Sequence, residues 1–167
     1  LGHSITKTYP GIVQLNTKES LYKTIQGTKI PGDVYLVKDG KKILKQSSDI
    51  LFTDYGISGP GILQISGRAT ADIKKGERVF VSLDLLSHME MEELFNFLIS
   101  SISQNGYKSP RDLLSCILHD NISDLIIRDL KIYKNHVSEL TNEEVKSICH
   151  KCKDLRLEVT GYKSETV

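Results

Sequence analysis

The sequence predicts an α+β fold: an antiparallel barrel or sandwich of strands interrupted by a small, all-helical subdomain. Three observations carry this. Residues 1–86 alternate short apolar runs with turn residues, and the clearest runs have a period of two. From residue 87 to about 153 the apolar period lengthens to that of helices, with capping residues where helices should start. Period two then returns at Leu155, Leu157 and Val159. A strand after the helices implies that the helical block is inserted into the sheet. The expected division is therefore a β domain of 1–86 plus 154–167, with a helical subdomain of 87–153.

Element by element, Gly11 to Leu15 is a short strand candidate. Val34-Tyr35-Leu36-Val37 and Lys42-Ile43-Leu44 flank Asp39-Gly40, and Asp-Gly between such runs signals a two-residue hairpin. Leu51-Phe52 and Ile62-Leu63-Gln64-Ile65 read as two further strands, with three glycines and Pro60 between them. From Arg78 to Leu85, Val79, Val81, Leu83 and Leu85 share one face of a half-buried strand. Ser87 with Glu90 fits a capping box for a helix whose stripe is Met91, Leu94, Phe95, Leu98 and Ile102. Asn105-Gly106 stops it, and Ser109-Pro110 starts a second helix with the stripe Leu113, Leu114, Ile117 and Leu118. Ile122, Leu125, Ile126 and Leu130 mark a third. Thr141 with Glu144 caps a fourth, with Val145, Ile148, Cys149 and Cys152 as its stripe.

Composition bounds the function. At 167 residues, 39% apolar and 26% charged, the chain is globular and holds one ordinary domain or two small ones. Twenty-two basic and 21 acidic residues leave a net charge of +1. That lacks the basic excess of a nucleic-acid binder, so a nucleic-acid partner is not expected. Lys38 with Lys41-Lys42, and Lys74-Lys75, read as solvated turns. No apolar run reaches the roughly 20 residues needed to span a bilayer, so no membrane partner is expected. Three cysteines are too few for a disulfide framework, which fits a reducing, cytoplasmic setting. The chain starts at Leu1 without methionine and stops soon after a strand; both ends read as cuts inside a longer protein.

Few residues announce chemistry. Cys149-His150-Lys151-Cys152 has CxxC spacing, but the pair lies late in its helix, where the dipole disfavours a thiolate, and both sulfurs continue an apolar stripe. Core packing is the expected role. No zinc spacing accompanies it, so no metal site is expected. His3, His88, His119, His136 and His150 form no HxxxH pair, and no catalytic residue is assigned. Asp49 and Asp54 fall on opposite faces of a regular strand, which disfavours paired acid–base work. Gly56, Gly59 and Gly61 give GxxGxG rather than the GxGxxG of a dinucleotide turn, so no cofactor-binding residue is expected in this chain alone. On physical grounds this stretch is either a strained crossover or a loop presenting backbone N–H groups and the Ser58 hydroxyl to a ligand or a neighbouring domain.

Leu51-Phe52-Thr53-Asp54-Tyr55-Gly56-Ile57-Ser58-Gly59-Pro60 resembles the signature of the BaiN/YhiN-like NAD(P)/FAD-dependent oxidoreductases, a flavoprotein family with aminoacetone oxidase-like members. The opening Gly2-His3-Ser4-Ile5, with Tyr9-Pro10-Gly11-Ile12-Val13-Gln14-Leu15, and the closing Leu157-Glu158-Val159-Thr160-Gly161-Tyr162 are similar to flanking parts of the family pattern. The resemblance implies that the chain is an insert: a six-stranded barrel, similar to those of translation factors, interrupted by a helical subdomain. The insert would cover a FAD-binding Rossmann domain of the same polypeptide. FAD would then belong to the full-length protein, with none bound to this chain, which would be inactive alone. Thr53, Asp54, Tyr55, Gly56, Ser58, Gly59 and Pro60 would face flavin or substrate. Two departures matter. Asp54 stands where many members carry histidine, which puts a proton-transfer role there in doubt, and Ser48-Asp49 replaces Gly-Glu. The alternative is a free-standing barrel module that binds protein or RNA.

Overall fold

The structure, a computed structural model, describes residues 11–163. The expectations resting on His3, on the opening Gly2-His3-Ser4-Ile5 and Tyr9-Pro10, and on the stretch 164–167 lie outside the described residues. Six strands, β1 (Gln14–Thr17), β2 (Lys29–Lys38), β3 (Lys41–Phe52), β4 (Gly56–Ser58), β5 (Val79–Asp84) and β6 (Leu155–Lys163), close into a barrel in the order β1-β4-β3-β2-β5-β6. Every pairing is antiparallel. Closure satisfies both edges of the sheet, as the resemblance implied.

The Asp39-Gly40 turn is where the hairpin signal placed it. Both residues have positive φ, 49° and 75°, the backbone of a type I′ turn whose twist matches its strands. The hairpin is longer than the apolar runs suggested, with ten residues in β2 and twelve in β3. A register shift leaves Ile43 between the pairs Leu36–Leu44 and Val37–Lys42. Leu15, Leu36, Ile50, Phe52, Ile57, Val81, Leu83 and Leu157 fill the barrel and are fully buried.

The expected strand at Ile62 to Ile65 is instead a helix, α1 (Pro60–Lys74). Pro60 at its first turn suits a helix start, because proline's missing donor would be unpaired there anyway. Ile62, Ile65 and Ala69 are buried at helical spacing. The helix touches all six strands, which is possible only across an open end of the barrel. The glycines thus join a strand to a helix, not a strand to a strand. A 3-10 turn at Leu21–Ile25 also lacked a sequence signal; it buries Tyr22 and Ile25 and stacks Tyr22 on Phe52 at 6.2 Å.

Helices α2 (Met91–Gln104), α3 (Pro110–Leu114), α4 (Asp120–Asp129) and α5 (Asn142–Lys153) lie between β5 and β6. The Thr141–Glu144 capping box forms as expected, and Ser109 Oγ accepts from Asp112 N at 3.1 Å. The first box shifts: α2 is capped by Glu90 with Glu93, while Ser87 stays in the preceding turn. The second helix is short, so Ile117 and Leu118 fall in the turn after it. Cys149 and Cys152 are buried in the α5 stripe. Burial pushes the Cys149 thiol up to about 11 and raises that of Cys152 further, the opposite of a reactive thiolate.

A charged joint fixes these helices to the barrel. Lys153, the last residue of α5, pairs with Asp84 at 2.8 Å and donates to the carbonyls of Leu86, at 2.8 Å, and Met89. Asp84 Oδ1 accepts the Leu86 N–H at 3.0 Å. Leu85 N donates to Cys152 O at 2.9 Å.

Candidate functional site

The Thr53–Pro60 segment is a tight loop whose geometry is set by backbone approaches. Thr53 N donates to Gly56 O at 2.9 Å, and Gly56 N donates back to Thr53 Oγ1 at 3.1 Å. These two bonds close the turn and leave Asp54 exposed at its tip. β4 then runs only three residues, pairing Ile57 with both Leu15 and Phe52.

The glycines have steric reasons to be glycine. A Cβ at Gly56 would overlap the Leu15 carbonyl oxygen and sit 2.8 Å from Thr17 N. Gly59 has φ 120° and ψ 163° as the N-cap of α1, a backbone that side chains rarely adopt, and its Cβ would overlap the Asp49 carbonyl. A Cβ at Gly61 would overlap Ser48 Oγ, the atom that accepts the Gly61 N–H at 2.8 Å. In each case the close approach is made by β1 or β3 of the same barrel. A dinucleotide cradle needs such glycine surfaces open to a pyrophosphate, so these residues do not form one. Ser58 is buried in the barrel, not presented on the surface.

Tyr55 connects the loop to the place where the chain enters and leaves the barrel. Its hydroxyl donates to Gln14 Oε1, and Lys163 Nζ lies 4.4 Å from its ring centroid. Gln14 and Lys163 are themselves cross-strand partners in β1 and β6. Thr17 N donates to Tyr55 O at 3.1 Å. Nearby, Ser66 of α1 holds the incoming segment: its hydroxyl accepts from Val13 N at 3.0 Å while donating to Leu63 O of its own helix at 2.7 Å. The exposed surface around Tyr55 therefore combines Thr53, Asp54, Gln14 and Lys163. Sequence reasoning missed Gln14, Lys163 and Ser48 as supports, because they come from three strands and share no local motif.

The remaining expected residues are dispersed. Asp49 is paired with Lys29 at 2.7 Å, outside the Asp54 turn. Lys38 is not a solvated turn residue: it is half-buried and pairs with Asp72 at 3.6 Å and with Glu77. Asp72 is 1% exposed, and Arg68 also reaches it at 2.8 Å. Burial alone would raise the Asp72 carboxyl. The Arg68 hydrogen bond, with the charges of Arg68 and Lys38, outweighs burial and holds it below the ordinary value. No cluster of three or more His, Cys, Asp and Glu able to hold a metal occurs among the described residues, and no described helix is long and apolar enough to cross a membrane.

Against known proteins, the chain is 22% identical over 160 residues to a 3-dehydro-bile acid delta(4,6)-reductase of Clostridium scindens. The aligned region covers 95% of this chain and 39% of that protein, so the chain spans about two fifths of the reductase's length. The sequence model of the HI0933-like protein barrel and H2TH domain matches residues 9–165. That match includes the barrel, its helical insertion and the Thr53–Pro60 loop, and the chain belongs to the HI0933-like barrel and H2TH domain family.

Proposed function

We propose that this chain is the insert domain of a FAD-dependent oxidoreductase, with the exposed tip of the Thr53–Pro60 loop, around Asp54, facing the flavin-binding part of the same polypeptide. The observation that carries this is the position of Tyr55. It contacts Gln14 and Lys163, the paired residues at which the chain enters and leaves the barrel. In a polypeptide as long as the matched reductase, most of the remaining chain attaches through that seam and abuts the loop.

In this reading residues 1–86 and 154–167 form the barrel and 87–153 an inserted helical subdomain. FAD is held by a Rossmann domain outside this chain, since the glycines here are occupied by the barrel's own backbone. Flavin supplies the redox chemistry, and the insert contributes shape and exclusion of water over it. The matched relative is named for a 3-dehydro-bile acid, and a compound of that class is the first substrate to try with the full-length protein. Asp54 is exposed and Thr53 Oγ1 is already committed to Gly56 N, so Asp54 is the side chain free to meet a substrate or a facing domain.

The test is a visible spectrum. A polypeptide extended over both natural flanks is expected to purify with bound flavin, whereas the 167-residue chain is expected to leave the spectrum of added FAD unchanged. Tight stoichiometric FAD binding by the 167-residue chain, or an extended polypeptide that binds none, contradicts the proposal.

A further inference from the structure

Helix α1 turns one side to solvent, and that side is cationic. Between Pro60 and Arg78 the cations are Arg68, Lys74, Lys75 and Arg78, and the carboxylates are Asp72 and Glu77. Both carboxylates are engaged within the chain: Asp72 is 1% exposed and held by Arg68 at 2.8 Å, and Glu77 pairs with Lys38. Arg68, Lys74 and Lys75 are exposed. No carboxylate of α1 therefore offsets them at the surface.

The same helix carries the incoming chain. Ser66 Oγ accepts the Val13 N–H at 3.0 Å, and a Cβ at Gly67 would lie 3.2 Å from Gly11 O. Glycine at 67 thus lets the segment lie on the helix, and the segment leaves Ile12 77% exposed. Lys74 follows Gly67 by seven residues, so it stands two turns along the same stripe, about 10 Å away. Its Nζ lies 5.7 Å from the Tyr162 ring, near the end of β6. Chain entry, chain exit, an exposed isoleucine and three cations therefore share one end of the barrel. An apolar anchor inside a charged rim is the anatomy of a protein–protein contact, and the rim selects a partner of opposite sign.

We propose that Ile12 and the Arg68–Lys74–Lys75 face of α1 dock an acidic surface of the flavin-binding part of the same polypeptide. This rests on the oxidoreductase reading and on the greater length of the matched reductase, of which the aligned region covers 39%. Zero-length carbodiimide coupling, which joins amines to carboxylates in contact, tests it in the polypeptide carrying both natural flanks. Cross-links from Lys74 or Lys75 to Asp or Glu outside the 167 residues are expected, at least fivefold above any from the exposed Lys131 and Lys134 of the helical region. Ile12→Asp is expected to cut their yield at least threefold, while the same substitution leaves the melting of the 167-residue chain unchanged. With flavin bound, absence of these cross-links, equal yield from Lys131 and Lys134, or undiminished yield in Ile12→Asp overturns this assignment and leaves the oxidoreductase reading standing. A polypeptide that purifies without flavin overturns that reading, and this one with it.

Discussion

Replacing Lys153 with methionine tests how the helices are fixed to the barrel. The Lys153 and Asp84 side chains are 13% and 11% exposed and lie 2.8 Å apart. Removing one partner of a buried pair costs about 3–5 kcal/mol, because the other charge is left uncompensated. Residual exposure at this site and the Leu86 N–H still bonded to Asp84 favour the lower end, about 3 kcal/mol. The Leu86 and Met89 carbonyls also lose their donor, and Leu86 is buried, which makes about 3 kcal/mol a minimum. For a chain of this size about 3 kcal/mol lowers Tm by roughly 6–12 °C. Urea titration with the m-value held constant gives the free energy directly. Asp84→Asn alone should cost less, and the Lys153→Met/Asp84→Asn double variant should be at least about 1 kcal/mol more stable than the sum of the singles predicts. A single Lys153→Met variant within about 1 kcal/mol of the parent, with additive behaviour in the cycle, refutes the joint as described.

Gly59→Ala should destabilise by more than about 3 kcal/mol, since it combines a disfavoured φ with overlap on the Asp49 carbonyl; a thermal melt within a few degrees of the parent contradicts that geometry. Thiol titration under native conditions should find one fast cysteine, Cys116, which is exposed, with Cys149 and Cys152 reacting only on unfolding. Two or more fast thiols would mean that α5 does not bury its stripe. Asp72 has a folded-state value below its unfolded one. Its stabilisation is therefore complete above the ordinary carboxylate range, near pH 4, and is lost as pH falls through the lowered folded value. Asp72→Asn should flatten the fall in stability on the acid side of about pH 4; an unchanged acid limb in the variant removes Asp72 as its cause.

Much of the fold could be read along the chain because its signals are local. The Asp39-Gly40 turn, the Thr141–Glu144 box and the alternation of Val79, Val81 and Leu83 each declare themselves within a few residues. Helix α1 did not, although its clues were present. Pro60 is a favourable first-turn residue, and Ile62, Ile65 and Ala69 keep helical spacing. Gly61 and Gly67 dilute that stripe, because the helix must lie close to Ser48 and to Gly11. Tertiary closeness thus selected residues that weaken the local pattern. The site was legible as a motif but not as a geometry. The glycines could be seen to need a close neighbour, and only the structure shows that the neighbours are Leu15, Asp49 and Ser48 of the same barrel. The link from Tyr55 to Gln14 and Lys163 spans the sequence from end to end and has no local signature.

The central claim, that the Thr53–Pro60 loop faces the rest of a longer flavin-binding polypeptide, is tested most directly by amide hydrogen exchange. Exchange at Asp54, Tyr55 and Gly56 is compared between the 167-residue chain and the polypeptide carrying both natural flanks, with Tyr133 and Lys134 in the helical region as an internal reference. The account predicts at least tenfold slower exchange at Asp54–Gly56 in the longer polypeptide and little change at the reference residues. Equal exchange at Asp54–Gly56 in the two proteins contradicts it.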